Sequence, residues 1–256
     1  MPREATRMNS HSSLTIPHHL NAYLSDPALF SVKKHDLSTT VGIMAGNVFG
    51  ISDALWVKRF NYRGMGHFIA KRIFGSRAKR IFRISSQLYR KGLPVPEPVL
   101  FIEPSFREKN AFFISTVISD SYSLREVHKK GLLEKNQPLV HRLAETLVQW
   151  HLVGAVHGDL KWPNILVREE DGGYQVYFVD LDQTVLHKTF SRKGIMKDLQ
   201  RFYRFGLELG AEEWVSSDFF PNYMSSLPDT VKKKLDLEEI KRHAYEEWAR
   251  KGRKRF

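Results

Sequence analysis

From Ser31 to about Ile118, strand-like runs of apolar and polar positions are interrupted once by a helical stretch. Between Ser31 and Phe60, two β-like runs, around VKKHDLSTTVGIMAG and ALWVKRF, flank a segment carrying Gly46 and Gly50 and predict an antiparallel hairpin. In SRAKRIFRISSQLYRK, residues 76 to 91, Ile81, Ile84 and Leu88 fall on one stripe at helical spacing. Ser76 is placed to cap that helix and Gly92 to stop it. The prolines of GLPVPEP exclude a continuing helix. VLFIE and AFFISTVI then predict two further strands, and a small mixed unit closes near Ile118.

From Leu124 the spacing is helical: Leu139, Leu143, Leu147 and Trp150 share one face of a helix ending before Gly154. ILV and QVYFVDLD predict short strands around the turn residues Asp171, Gly172 and Gly173, and the chain from about Lys193 reads as mostly helical and polar. Residues 1 to about 31 carry Pro17 and Pro27 but no sustained period, which predicts a loose extension.

Hydrophobic residues make up 42% of the 256 positions and aromatics 12%, which places the chain among globular rather than disordered sequences. The absence of cysteine excludes disulfides, cysteine-bound zinc and thiol catalysis, and suits a reducing compartment. The first twenty residues lack the apolar stretch of a signal peptide. No window approaches the roughly 18 to 20 apolar residues of a membrane span, so a cytoplasmic protein, soluble or peripheral, is expected. Forty Lys and Arg against 28 Asp and Glu favour polyanionic partners. From Ala54 to Pro96 there are eleven basic residues and no acid, which is either a basic docking face or a solvated helix surface.

The chemistry concentrates in VHGDLKWPNILV and YFVDLDQT, which set Asp159, Lys161, Asn164 and Asp180 at the borders of apolar strands. Phosphoryl transfer needs a carboxylate near the attacking hydroxyl, oxygen ligands for magnesium and cations that offset phosphate charge. Asp159 is placed to orient an acceptor hydroxyl and take its proton, Lys161 to reach the transferred phosphate, and Asn164 with Asp180 to hold Mg2+. The bland alternative is a loop in which Asp and Asn only cap turns. The pattern H-x-D-x-K-x-x-N, followed by a strand ending in Asp, resembles the catalytic and metal-binding loops of the protein-kinase-like superfamily. That resemblance implies a two-lobed α+β fold that uses ATP, with an extension over 1–31, a small β-rich N-lobe over 32–118 and a mainly helical C-lobe over 119–256. It also requires a strand lysine for the α- and β-phosphates. Lys58 of WVKRF is the candidate, an ordinary exposed strand lysine being the alternative.

A closer resemblance is to the bacterial lipopolysaccharide core kinases, which phosphorylate heptose or Kdo sugars of the inner core. KKHDLSTTVG, WVKRFNYRG, SRAKRIF with LYRKGLPVPEPVLF, and HGDLKWPNILV with FVDLDQT carry it, over roughly residues 33 to 185. The basic helix and GLPVPEP set this family apart, because the HGD loop is shared with aminoglycoside phosphotransferases and atypical protein kinases. The resemblance implies a kinase acting on a lipopolysaccharide core glycolipid, in peripheral contact with the anionic inner membrane and without a nucleic-acid partner. A protein or small-molecule kinase, or a catalytically weak adaptor, are the other readings.

Three departures from the kinase pattern stand out. No G-x-G-x-x-G loop is present, and Ser38, Thr39 and Thr40 are instead implied to meet phosphates through hydroxyls and backbone N–H groups, unless HDLSTT is an ordinary hairpin turn. The helix over 76–91 has no Asp or Glu to pair with Lys58, and Arg83 lies near that place. Gly158 stands where many regulated kinases have Arg. His157 is expected to be structural, Asp182 either a supporting acid or solvent-exposed, and Asp198 resembles the helix aspartate that braces the loop. The remaining histidines show no ligand spacing, so no transition metal is expected.

Overall fold

The computed structural model describes residues 30–49, 53–61, 76–105, 109–134 and 136–252. The expected extension before Phe30 lies outside the described residues, as do Gly50, His67 and Arg63, Lys71 and Arg72 of the basic run. Contacts divide the chain between Ile118 and Ser119 into two units, each with its own core.

The first unit is an antiparallel sheet of β1 (Phe30–His35), β2 (Thr39–Met44), β3 (Leu55–Phe60), β4 (Pro98–Ile102) and β5 (Ala111–Thr116), in the order β1-β2-β3-β5-β4. The hairpin expected between Ser31 and Phe60 is therefore a three-strand meander, because the first β-like run folds back on itself. Asp36 makes that turn: one carboxylate oxygen accepts from Ser38 N and Ser38 Oγ at 2.8 Å and from Thr39 N at 2.7 Å. A turn built by an aspartate side chain, with neither Gly nor Pro, leaves period-two alternation almost unbroken. At the edge, β1 exposes Lys33 and Lys34, which disfavours pairing with another chain.

Helix α1 (Arg77–Arg90) begins where Ser76 Oγ accepts from Lys79 N at 3.1 Å and ends before Gly92, whose φ is +74°. Its buried positions Ala78, Ile81, Phe82, Ser85 and Leu88 follow the three-and-four spacing, with Ile84 at the margin. Phe60, Phe101 and Phe113 receive Ala78, Ile81 and Phe82 on one sheet face, while Leu55, Val57, Phe112 and Ile114 pack with Met44 and Phe30 on the other. Outward, α1 presents Arg77, Lys79, Arg80, Arg83 and Arg90, followed by Lys91, all exposed.

The second unit starts with β6 (Ser121–Ser123) and α2 (Leu124–Lys129), the latter closed by a capping box between Ser123 and Glu126. Then come α3 (Gln137–Leu152), β7 (Ala155–Val156), β8 (Ile165–Glu170), β9 (Gly173–Phe178) and β10 (Val185–Leu186). Strands order as β6-β8-β9, with β7 pairing β10 separately. Helices α4 (Arg192–Leu209), α5 (Phe220–Ser225) and α6 (Leu237–Gly252) complete it, with shorter helical turns between them.

Leu139, Leu143, Leu147 and Trp150 of α3 are all buried, and α3 packs against β9 and α5. The stretch beyond Lys193 is helical but not polar. Phe202, Tyr203, Trp214, Phe219, Phe220 and Tyr223 are buried there, with Phe202 and Phe219 centroids 4.3 Å apart. A few large rings bury as much area as many aliphatic residues. Charged residues between them hide that core from a reading by composition.

Candidate active site

The loop after β7 is held from below by a buried carboxylate. Asp198, fully buried on α4, accepts from His157 N at 2.6 Å through Oδ2 and from Gly158 N at 2.9 Å through Oδ1. Gly158 adopts φ +77°, and a Cβ there would stand 2.4 Å from the Gln183 carbonyl oxygen. Its presence in place of Arg thus has a backbone cause. Burial pushes the His157 imidazole below its ordinary pKa. Its Nε2 faces the Val179 carbonyl at 3.0 Å and its Nδ1 faces Asp159 N at 3.3 Å. Only a neutral ring with its proton on Nε2 satisfies both partners, so His157 is a strut for the loop. Thr184 Oγ1, also buried, donates to the His157 carbonyl at 3.1 Å.

Asp159 is partly exposed, and its two oxygens differ. Oδ2 meets Lys161 Nζ at 2.9 Å and accepts from Asn164 Nδ2 at 3.2 Å. Oδ1 faces Arg201 Nε at 3.9 Å, which is an ion pair but too long for a hydrogen bond. Asn164 Nδ2 also donates to the Asp159 carbonyl at 2.9 Å, so the amide is turned with nitrogen toward Asp159 and its oxygen is the atom that could meet a cation.

Pairing of β8 with β9 sets Ile165 opposite Phe178, and Val179 N donates to the Asn164 carbonyl at 3.0 Å. Asp180 follows at once. Its φ of 59° and ψ of 56° lie in the left-handed region, one of two non-glycine residues with positive φ among those described. Such backbone costs energy and clusters at active sites and ligand clamps. The donor set, an amide carbonyl and a carboxylate oxygen, fits Mg2+, which takes few protein oxygens and fills its sphere with phosphate oxygens and water. Asp182 is buried in the turn Leu181–Gln183, which corrects the solvent-exposed alternative.

The other sequence-predicted residues lie in the first unit. Lys58 is half-buried on β3, opposite Val41 and Phe113, with Nζ 5.7 Å from the Phe60 ring centroid. By alternation it shares the α1 face of the sheet with Phe60, and α1 carries no carboxylate to meet it; Arg83 is exposed. In the hairpin, the Ser38 and Thr39 donors converge on Asp36, and the Ser38 hydroxyl above all holds that carboxyl well below the usual range. Thr40 Oγ1 accepts from Arg59 Nη2 at 2.9 Å and lies 2.8 Å from His35 Nδ1. For Ser38 and Thr39 these bonds favour the hairpin-turn reading, since a carboxylate already occupies the N–H groups a phosphate would need.

Three contributors escaped the sequence reading. Trp162 is fully buried, donates from Nε1 to the Phe202 carbonyl at 3.2 Å, and meets the Phe202 ring tilted at 5.6 Å and the Trp214 ring edge-on at 5.4 Å, pinning the loop to α4. Thr184, the last residue of the YFVDLDQT motif, carries no signal of its own in the sequence. Arg201 donates from Nη1 to the Gly158 carbonyl. It lies three residues after Asp198, one turn along the same helix face, and that spacing was the available signal.

The family model described as the lipopolysaccharide kinase (Kdo/WaaP) family matches residues 51–221. Two curated relatives are both named 3-deoxy-D-manno-octulosonic acid kinase and both are 25% identical. The Mannheimia succiniciproducens protein matches over 154 residues, 57% of this chain and 62% of that protein. The Pasteurella multocida protein matches over 146 residues, 54% of this chain and 59% of that protein. The match thus spans about three fifths of the length of these curated relatives. A solved structure, WaaP in complex with acyl carrier protein, is similar at a TM-score of 0.57 over 92% of this chain and 99% of that one. At 16% identity that likeness is one of fold, an antiparallel β unit followed by a helical one.

Proposed function

Because the chain belongs to the lipopolysaccharide kinase (Kdo/WaaP) family, we propose that it is a kinase transferring the γ-phosphate of ATP to a sugar hydroxyl, heptose or Kdo, of the lipopolysaccharide inner core. The single observation that carries this reading is the asymmetric Asp159 carboxylate, tied at Oδ2 to Lys161 and Asn164 and open at Oδ1. Asp159 Oδ1 receives the proton that the acceptor oxygen loses as its bond to the γ-phosphorus forms and the bond to the β-phosphate oxygen breaks. Lys161 holds Asp159 in place and offsets charge on the phosphoryl group in transit. Asn164 Oδ1 and Asp180 would hold Mg2+, which would supply positive charge to offset that of the phosphates. Lys58 takes the α- and β-phosphates. For Ser38 and Thr39 a phosphate contact requires the Asp36 turn to open, and Thr40 is the hairpin hydroxyl nearest to the basic Arg59.

The absent carboxylate on α1 favours a second reading, a weak or inactive kinase that serves as a nucleotide-binding adaptor. The assembled Asp159–Lys161–Asn164 group supports catalysis over that reading. No helix among the described residues is long and apolar enough to cross a membrane. The exposed basic side of α1 supports peripheral contact with an anionic membrane at the cytoplasmic face, each nearby Lys or Arg contributing about 1 kcal/mol.

The test supplies inner-core acceptors ending in Kdo or in heptose together with Mg2+ and ATP, and reads the gain of one phosphoryl group by mass spectrometry. Phosphorylation of one acceptor class supports the proposal and names the sugar. ATP binding without transfer to either supports the adaptor.

A further inference from the structure

Resting on the kinase reading above, we infer that Arg201 is a specificity-determining residue, holding a carboxylate of the acceptor beside the hydroxyl that meets Asp159. The two Asp159 oxygens decide where that hydroxyl binds. Oδ2 is taken by Lys161 at 2.9 Å and Asn164 at 3.2 Å, whereas Oδ1 has Arg201 Nε at 3.9 Å, beyond hydrogen-bond reach. Oδ1 is therefore the oxygen free to take a proton. Whatever sits there has the Arg201 guanidinium as its neighbour.

Arg201 is built for an anion. Its Nη1 is bonded to the Gly158 carbonyl, which fixes the plane of the guanidinium, and its side chain is one third exposed. A guanidinium has five N–H donors, and the Gly158 carbonyl accounts for one. The donors that remain beside Asp159 form a planar fork suited to the two oxygens of a carboxylate. Arg201 lies on α4 one turn from Asp198, so the same helix that braces the loop also sets this fork. Lys161, a flexible point charge already on Oδ2, suits the transferred phosphoryl group; Arg201 suits a fixed planar partner. The relatives' printed name describes a sugar acid, which has such a carboxylate.

The experiment compares one inner-core acceptor bearing a free sugar carboxylate with the same acceptor converted to its carboxamide. Wild type, Arg201→Gln and Arg201→Lys are assayed, and thermal unfolding checks that each variant is folded. A charge-assisted pair of this kind predicts that wild type prefers the acid by about 10- to 100-fold in kcat/KM, chiefly through acceptor KM. Arg201→Gln lowers kcat/KM for both acceptors but more for the acid, chiefly by raising KM for the acid, so that the preference is lost. Arg201→Lys keeps part of it. Equal use of acid and carboxamide by wild type overturns the inference while leaving the kinase reading intact, and needs no variant to interpret. Equal losses on both acceptors in Arg201→Gln also overturn it, assigning Arg201 to support of the Gly158 carbonyl alone. Failure of wild type to phosphorylate either acceptor overturns the kinase reading and the inference together.

Discussion

Gly158 and Asp198 constrain the same peptide from opposite sides. Adding a methyl at Gly158 forces a left-handed residue against the Gln183 carbonyl, 2.4 Å from the new carbon. Gly158→Ala is expected to lower stability by about 2–4 kcal/mol, combining positive-φ strain with displaced backbone, as chemical denaturation will measure. His157 carries a pH signature. Its folded pKa lies below the ordinary value of 6.5 because it is buried, so the unfolded chain takes up a proton that the native protein refuses. Stability contributed this way is present above about pH 6.5 and is lost as pH falls toward the folded pKa. The melting temperature should drop between pH 7.5 and 5.5, and His157→Gln, though less stable throughout, should show a shallower slope. A slope unchanged by the substitution would remove His157 as its source. Of the candidate site, Asp159, Lys161, Asn164 and Asp180 stood out in the sequence because four polar residues at the borders of apolar strands have few packing explanations. Arg201 did not, because an arginine on a basic amphipathic helix looks like solvent-facing charge until the fold places Gly158 beneath it.

At the scale of elements, the candidate catalytic loop is a graft onto α4 rather than a free loop. Two backbone N–H groups end on Asp198, the Gly158 carbonyl ends on Arg201, and the Trp162 indole ends on the Phe202 carbonyl. Trp162→Ala should cost about 3–5 kcal/mol and leave a cavity against Phe202 and Trp214. The loss should appear in thermal unfolding, and added ATP should not restore it. Periodicity recovered α1 and α3 closely, because caps at Ser76 and Gly92 and a four-residue apolar stripe are local signals. It failed at the first hairpin, where the turn depends on one side chain, Asp36, holding four groups of its own loop. Beyond Lys193 it recovered the helices but not the apolar core, because short helices broken by a π-type turn over Val215–Phe219 scatter the rings that form it.

At the scale of the molecule, a formal charge of +12 has a local expression on the outer side of α1. Reversing Arg83 and Lys91 to Glu should weaken binding to vesicles containing phosphatidylglycerol by more than tenfold at low salt, at about 1 kcal/mol per charge removed. Binding to neutral vesicles and thermal stability should not change. Vesicle co-sedimentation with equal binding by both proteins would place the membrane contact elsewhere. The family was legible from the chain because its motifs are contiguous; which core sugar accepts the phosphate was not, because acceptor choice rests on side chains that the fold brings together from distant parts of the chain. The most direct measurement is transfer of labelled γ-phosphate from ATP, with Mg2+, to purified inner-core acceptor by wild type and by Asp159→Asn. Transfer by wild type, reduced at least about 100-fold in the variant with nucleotide binding retained, is the predicted result. Equal transfer by the two proteins would contradict the assignment of Asp159, and with it the site.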